Sequence, residues 1–329
     1  MNDIVIANNQ RQAPWIGIGV KGYWHDYREA LEAAQLDFKV YQEKVYWNQP
    51  VVPIRQIPDY PFGGMITQQP EELDLLVNVR DTDNKALGTV TRQYGVVQNE
   101  DAFSLLEPFT QAGGVITNAG MTEQGLCFMV LRMRQARFLG DDFDFDVMCT
   151  NSFNTAFPLA LMMVPTRIIC QNMYRSLMGG GSDMLMHLRH GNQIDQRIDA
   201  ANRAIGSLQS YIDRFEDALY LSSGKYLENG RLQDLISVLF PYPKPGGARE
   251  IMSRERVDAM RKEFYERYYL ASDNDKDRGT ALGFLNAYYD YLSHRSPTKC
   301  MPGSWNDRRL SGLVSGADVK TNVIKEAMR

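Results

Sequence analysis

Apolar residues alternate with polar ones through short runs in the first half of the chain and recur every three or four positions in the second, so strands are expected first and helices later. Leu75 to Arg80 and Ala86 to Tyr94 flank the polar turn Asp81-Thr82-Asp83-Asn84 and read as a β-hairpin. Four further strands follow, Val115 to Met121, Leu126 to Met133, Phe143 to Thr150 and Phe157 to Val164, the first two joined by Thr122-Glu123-Gln124-Gly125. Consecutive strands of this kind imply an antiparallel sheet. Helices are expected over Asp26 to Leu36, over Glu100 to Gln111 with Asn99 as its cap and Gly113-Gly114 as its stop, and from Pro165-Thr166 to about Leu177, before Gly179-Gly180-Gly181.

The clearest periodicity comes next. Ile194, Ile198, Ala201, Ile205, Leu208, Ile212, Phe215 and Leu219 are spaced by alternating fours and threes, which predicts one long amphipathic helix over about 192–222. So long a seam needs a partner surface from its own sheet, another helix or another subunit. The fold class is therefore α+β, a strand meander packed by helices. The organisation reads as an irregular segment over 1–70 with a short helix and edge strands, and an α+β core over 71–240. A stiff Pro/Gly linker over 241–247, a smaller helical unit over 248–296 and a less periodic tail over 297–329 follow.

Composition narrows the function. Of 329 residues, 44% are hydrophobic, enough for a sizeable core, and 36 Lys plus Arg against 40 Asp plus Glu give a net charge of −4. A uniformly basic nucleic-acid coat is excluded, so any polyanion site must be a local patch. No apolar run is long enough to cross a bilayer and the amino terminus lacks the order of a signal peptide, so no membrane partner and a cytoplasmic location are expected. Cys127, Cys149, Cys170 and Cys300 are widely spaced and read as small buried hydrophobes.

Several patterns invite chemistry. Gly17-Ile-Gly19-Val-Lys-Gly22 matches a dinucleotide fingerprint in form, but the polar residues before it do not make the buried strand that the motif requires, so a backbone turn packed on Trp15 is expected. Gly179-Gly180-Gly181-Ser182 lacks the lysine of a phosphate loop. His187 and His190, with Asp183 one turn earlier, could face one another on a helix but leave a metal short of ligands. Asp142, Asp144 and Asp146 alternate with Phe143 and Phe145 and would share one strand face, which as an alternative to a solvated surface could hold Mg²⁺ for a nuclease. No cofactor motif and no hydrolase motif emerge.

The remaining pattern favours binding. Cys127, Met129, Leu131 and Met133 fall on one face of a strand, and Phe128, Val130, Arg132 and Arg134 on the other. With Arg167, Arg175 and Arg189 farther along, these guanidinium groups could hold phosphates while Phe128 and Tyr94 stack on bases. Gln98, Asn99, Gln171 and Asn172 read as structural hydrogen bonders.

Taken together, Trp15-Ile-Gly-Ile-Gly19, Gln35 to Val40, Val79-Arg80-Asp81, Leu87 to Val90, Tyr94 to Asn99, Pro165 to Asn172, His187-Leu-Arg-His190 and Gly279 to Ala287 resemble a family of phage/plasmid-like proteins of unknown function. That resemblance implies a mobile-element setting, in which DNA replication, recombination, transfer or defence evasion is common, and no reaction. The expectation is a non-enzymatic protein of DNA metabolism that binds, anneals or protects single-stranded nucleic acid as a homo-oligomer. A Mg²⁺-dependent nuclease or nucleotide-processing enzyme and a protein-binding antagonist of host defence are the alternatives.

Overall fold

The structure, a computed structural model, describes residues 13–47, 52–53, 65–66, 70–169, 172–174, 184–188, 194–243, 250–294, 305–315 and 320–329. Its centre is a seven-stranded antiparallel sheet. The path runs β1 (Val20–Trp24), β7 (Val115–Met121), β8 (Leu126–Phe138), β9 (Asp141–Ser152), β10 (Leu159–Arg167) and β11 (Asn172–Met173), with β12 (Met184–Leu188) also on β10. A second sheet of three strands joins β2 (Val40–Trp47), β5 (Glu71–Arg80) and β6 (Ala86–Thr91), and β3 (Val52–Pro53) pairs with β4 (Met65–Ile66). The hairpin expected around Asp81 to Asn84 is β5–β6.

Helices pack round the sheets. They are α1 (Tyr27–Ala33), α2 (Asn99–Phe103), α3 (Glu107–Gln111), α4 (Ile194–Gly206), α5 (Leu208–Ser223), α6 (Asn229–Leu239), α7 (Glu250–Tyr269), α8 (Ala281–His294), α9 (Trp305–Ser315) and α10 (Thr321–Met328). The protein is thus α+β, an antiparallel sheet packed by helices.

The long β8–β9 hairpin turns through two residues, Leu139 and Gly140, both at positive φ (51° and 84°), the twist that a two-residue hairpin needs. Lys276 Nζ donates to the Leu139 carbonyl at 2.7 Å and holds a residue that would otherwise avoid this conformation. β8 and β9 stay paired from Leu126↔Ser152 to Phe138↔Asp141, with one irregularity between Arg132 and Arg134.

Both faces of this sheet are buried at one end. Cys127, Met129, Leu131, Phe145, Val147, Leu161 and Met163 belong to the main core with α2, α5, α6 and α8. Leu126, Phe128, Val130, Met148, Met162 and Val164 form a second core under Trp15, Ile18, Leu310, Leu313 and Val314. The less periodic tail contains α9, which covers the sheet's second face, and α10, whose Val323, Ile324 and Ala327 enter the main core. Burial of both faces explains why Leu126 to Leu131 is continuously apolar rather than alternating.

Three helix expectations change. Pro165 and Thr166 do not open a helix, because β10 continues through them to Arg167. Pro165 is tolerated in the strand because its carbonyl, and hence its nitrogen, face the outer side where Tyr174 N donates. The segment from Glu100 to Gln111 is α2, a 3₁₀ turn over Ser104–Leu106 and α3 rather than one helix, and Asn99 is buried instead of capping it.

The single long helix divides at Ser207 into α4 and α5. Gly206 and Ser207 interrupt the ladder there, and Ser207 Oγ donates back to the Ala204 carbonyl at 2.8 Å. Its seam faces its own chain: Ala201, Ile212, Phe215 and Leu219 are buried in the main core. Phe215 sits edge-on to Phe143 and Phe145, at 5.4 and 5.3 Å between ring centres. Phe215→Ala, which leaves a cavity among these rings, is expected to cost about 3–5 kcal/mol, measured as a lowered denaturation midpoint in urea.

Candidate binding surface

The hairpin register decides the fate of the two candidate sites on β8 and β9. Arg132 stands opposite Asp146 and Arg137 opposite Asp142, so the arginines and the aspartates that alternate along these strands neutralise one another. Arg132 Nη2 lies 2.8 Å from Asp144 Oδ2 and its Nε 3.6 Å from Asp146 Oδ1, too far for a hydrogen bond. Gln135 donates to the other oxygen of Asp144 at 2.7 Å. Arg137 Nε is 3.9 Å from Asp142 on the exposed end of the ladder. Two buried carboxylates share one guanidinium, and burial, with Asp144 adding to it against the pull of Arg132, pushes Asp146 up to about 7.

Asp142, Asp144 and Asp146 therefore do not converge on a cation. Asp142 is exposed beside Arg137, while Asp144 and Asp146 are buried under Arg132. Among the described residues no group of three or more His, Cys, Asp or Glu is arranged to hold a metal. His187 lies on the strand β12 rather than on a helix, and His190 and Asp183 lie outside the described residues.

The proposed ring and phosphate contacts are largely used within the fold. Phe128 has no exposed surface; it belongs to the second core, so it cannot stack on a base. Arg167 is 1% exposed; Asp141 holds it at 2.8 Å and it donates to the Asp273 carbonyl at 2.9 Å, tying β10 to the turn at Ser272–Asp277. Tyr94 is half-buried and its hydroxyl donates to the Ser152 carbonyl at 2.9 Å. Arg132 is committed to Asp144. Arg134 is exposed and donates to Gln209 of α5 at 2.7 Å. Arg175, Arg189 and Gln171 lie outside the described residues, as does the side chain of Asn172.

Other side chains act as architecture. Gln98 bonds both backbone groups of Val40, and Asn99 donates to the Leu36 carbonyl at 2.9 Å, the structural role expected of them. Gly19, at φ 68°, lets β1 approach β7 so closely that a Cβ there would lie 2.1 Å from the Ala119 carbonyl oxygen. The first glycine cluster is thus a packing device beside buried Trp15. Cys127 and Cys149 are buried free thiols; burial pushes Cys127 up to about 12, far from a reactive thiolate.

Rings beside guanidinium groups do occur, on α7. Arg261 donates twice to the Phe240 carbonyl, at 3.1 and 2.8 Å, satisfying the end of α6, and lies 4.1 Å above the ring of Tyr242. Arg254 approaches the same ring at 5.8 Å. Tyr242 donates to Asp258 at 2.6 Å, which raises the tyrosine's own titration. One and two turns beyond Arg261, Tyr265 and Tyr269 stack at 6.0 Å with 17° between planes. Tyr242, Asp258, Arg261, Tyr265 and Tyr269, with Lys262, Glu266 and Leu270, line an open groove of about 550 Å³. Tyr242 is 46%, Tyr269 39% and Leu270 73% exposed.

Phe264 and Tyr268 turn inward from α7, whereas Tyr265 and Tyr269, one position further along, fall beside that buried face. The signal for this surface is the surplus of aromatics in Phe264-Tyr-Glu-Arg-Tyr-Tyr269, more than one buried face accommodates.

Residues 86–313, more than half of the chain and all of this surface, match the family model described as a domain of unknown function, DUF932, and the chain belongs to that family. No curated protein and no solved structure matches it. Among the described residues no helix is long and apolar enough to cross a membrane.

Two expected outcomes follow from the buried charges. An unfolded chain ionises Asp146 above about pH 4, whereas the fold retains its proton up to about pH 7. Its contribution to stability is therefore greatest at acid pH and declines as pH rises through that interval. Asp146→Asn should flatten that decline in denaturation midpoints measured from pH 4 to 8; identical profiles in both proteins would place the proton elsewhere. Arg167→Met removes the buried guanidinium that joins Asp141 and Asp273, leaving Asp141 with Lys276 alone, and is expected to cost about 3–5 kcal/mol in urea denaturation.

Proposed function

We propose that this protein is a non-enzymatic binder of single-stranded nucleic acid and that the α7 groove is its contact surface. The observation that carries the reading is the interleaving of rings, the exposed Tyr242 and Tyr269 and the half-buried Tyr265, with Arg254, Arg261 and Lys262. Aromatic faces accept any base, and neighbouring cations offset the phosphate charge, so such a surface needs neither a catalytic residue nor a sequence code. Asp258 and Glu266 share the groove, so stacking rather than charge supplies most of the affinity. The phage- and plasmid-like resemblance supports the setting in which strand annealing or protection has a use; that support is by association.

The test is fluorescence anisotropy with labelled oligothymidylate, without divalent metal, over a range of salt. Binding is expected, weakening as salt rises, and the paired substitution Tyr265→Ala and Tyr269→Ala should reduce affinity roughly tenfold or more. Undetectable binding by the unaltered protein, or binding indifferent to both substitutions, rejects the reading. Stoichiometric capture of one protein from nuclease-treated extract, lost in the same double variant, would assign the groove to a protein partner instead.

A further inference from the structure

One side of α5 is buried and the other is bare. Ile212, Phe215, Leu219 and Ser222 point into the fold, whereas Asp217, Tyr220, Leu221 and Gly224, with Lys225 just beyond the helix, line an open groove of about 700 Å³. Tyr220 is 51% and Leu221 71% exposed. Among the described residues neither Asp217 nor Lys225 has an ion-pair partner. A lining with one acid, one base and two large apolar side chains gives a polyanion no advantage. It fits a surface that also carries one charge of each sign beside apolar groups.

The order of these residues makes the face complementary to itself. Asp217 stands four residues before Leu221 and Lys225 four after it. Gly224 keeps helical angles, φ −76° and ψ −10°, so Lys225 follows Leu221 by one turn on the stripe that Asp217 begins. Spacing is symmetric about Leu221 and the charges are opposite. When a second α5 lies antiparallel across the first, with a two-fold axis at Leu221, Asp217 of each copy meets Lys225 of the other and the two leucines meet at the centre. The exposed Arg214 and Glu228, seven residues to either side, continue the same reversal of sign. Asp213 and Glu216 fall opposite Asn229 and Tyr226, so this alignment opposes no like charges. A parallel pair would set acid on acid and base on base.

We infer that two copies of this chain associate through α5 as an antiparallel, two-fold pair centred on Leu221. Tyr220 and Leu221 supply the apolar contact, and two equivalent Asp217–Lys225 pairs fix its direction. One helix face is a small interface, so the dimer is weak and its population follows protein concentration. This face shares no residue with the α7 groove, and the inference does not depend on the ligand of that groove.

Sedimentation equilibrium over a concentration series tests it, with the unaltered protein, Leu221→Asp, Asp217→Lys, Lys225→Asp, the double variant Asp217→Lys with Lys225→Asp, and Tyr269→Ala. Unchanged thermal unfolding of each variant establishes its fold. The unaltered protein should pass from monomer to dimer, and Leu221→Asp should remain monomeric. Each single reversal opposes like charges at two places and should weaken the dimer roughly tenfold or more. The double variant should regain it. So should an equimolar mixture of the two single variants, in which each offers the sign that the other lacks. Asp217 and Lys225 lie eight residues apart in one chain, too far to repair each other, so recovery in the mixture reports contact between copies. Tyr269→Ala should dimerise like the unaltered protein; loss of the dimer there would move the contact to α7 and overturn the inference. A protein monomeric throughout, a dimer indifferent to Leu221→Asp, or reversals that the mixture does not rescue would each overturn it as well.

Discussion

Pairing between β8 and β9 is the constraint on which the rest depends. A hairpin of two long strands joined by only Leu139 and Gly140 has one register, and that register puts Arg132 against Asp146 and Arg137 against Asp142. A slip of one residue would turn every side chain to the opposite face, exchanging the membership of the two cores. Charge and packing thus specify the same alignment from different directions. The Lys276 and Arg167 ties to Asp141 then fasten the turn end of the hairpin to the helical side of the molecule.

The same alignment removes two chemistries at once. Arginines that face their own aspartates have little left for a phosphate, and aspartates that share a guanidinium have little left for a cation. Such a ladder is costly to bury, and its incomplete satisfaction at Asp146 and Arg132 is visible in the pair of atoms that approach without bonding. What the ladder gives in return is a unique strand alignment.

Much of the architecture was legible from the residues. The hairpin at Asp81 to Asn84 and the four following strands carry strong turn and period-two signals, and the α5 seam carries a period of three and a half. The seam's break at Gly206-Ser207 was written in two poor helix formers that the apolar spacing outweighed. Pro165 misled because proline opens helices and also sits at strand edges. The cross-strand pairing is harder to read, since Leu139-Gly140 is not a common turn dipeptide and nothing local in the sequence links the two alternating charge patterns. Phe128 looked like a surface ring because nothing local reveals that a helix more than 170 residues later lies over it. The tyrosine groove is hidden for the opposite reason: helical periodicity identifies the face that is buried and says nothing about which neighbouring faces stay bare.

Cover of the sheet's second face by α9 has a consequence for biosynthesis. A ribosome delivers residues in order, so β8, β9 and β10 emerge long before Leu310, Leu313 and Val314. During that interval Phe128, Val130 and Met162 present a greasy surface to the cell, and nascent chains are then most exposed to mutual adhesion. Stalling or premature termination ahead of residue 305 would prolong that hazard, which makes α9 a built-in guard against aggregation of the sheet translated before it.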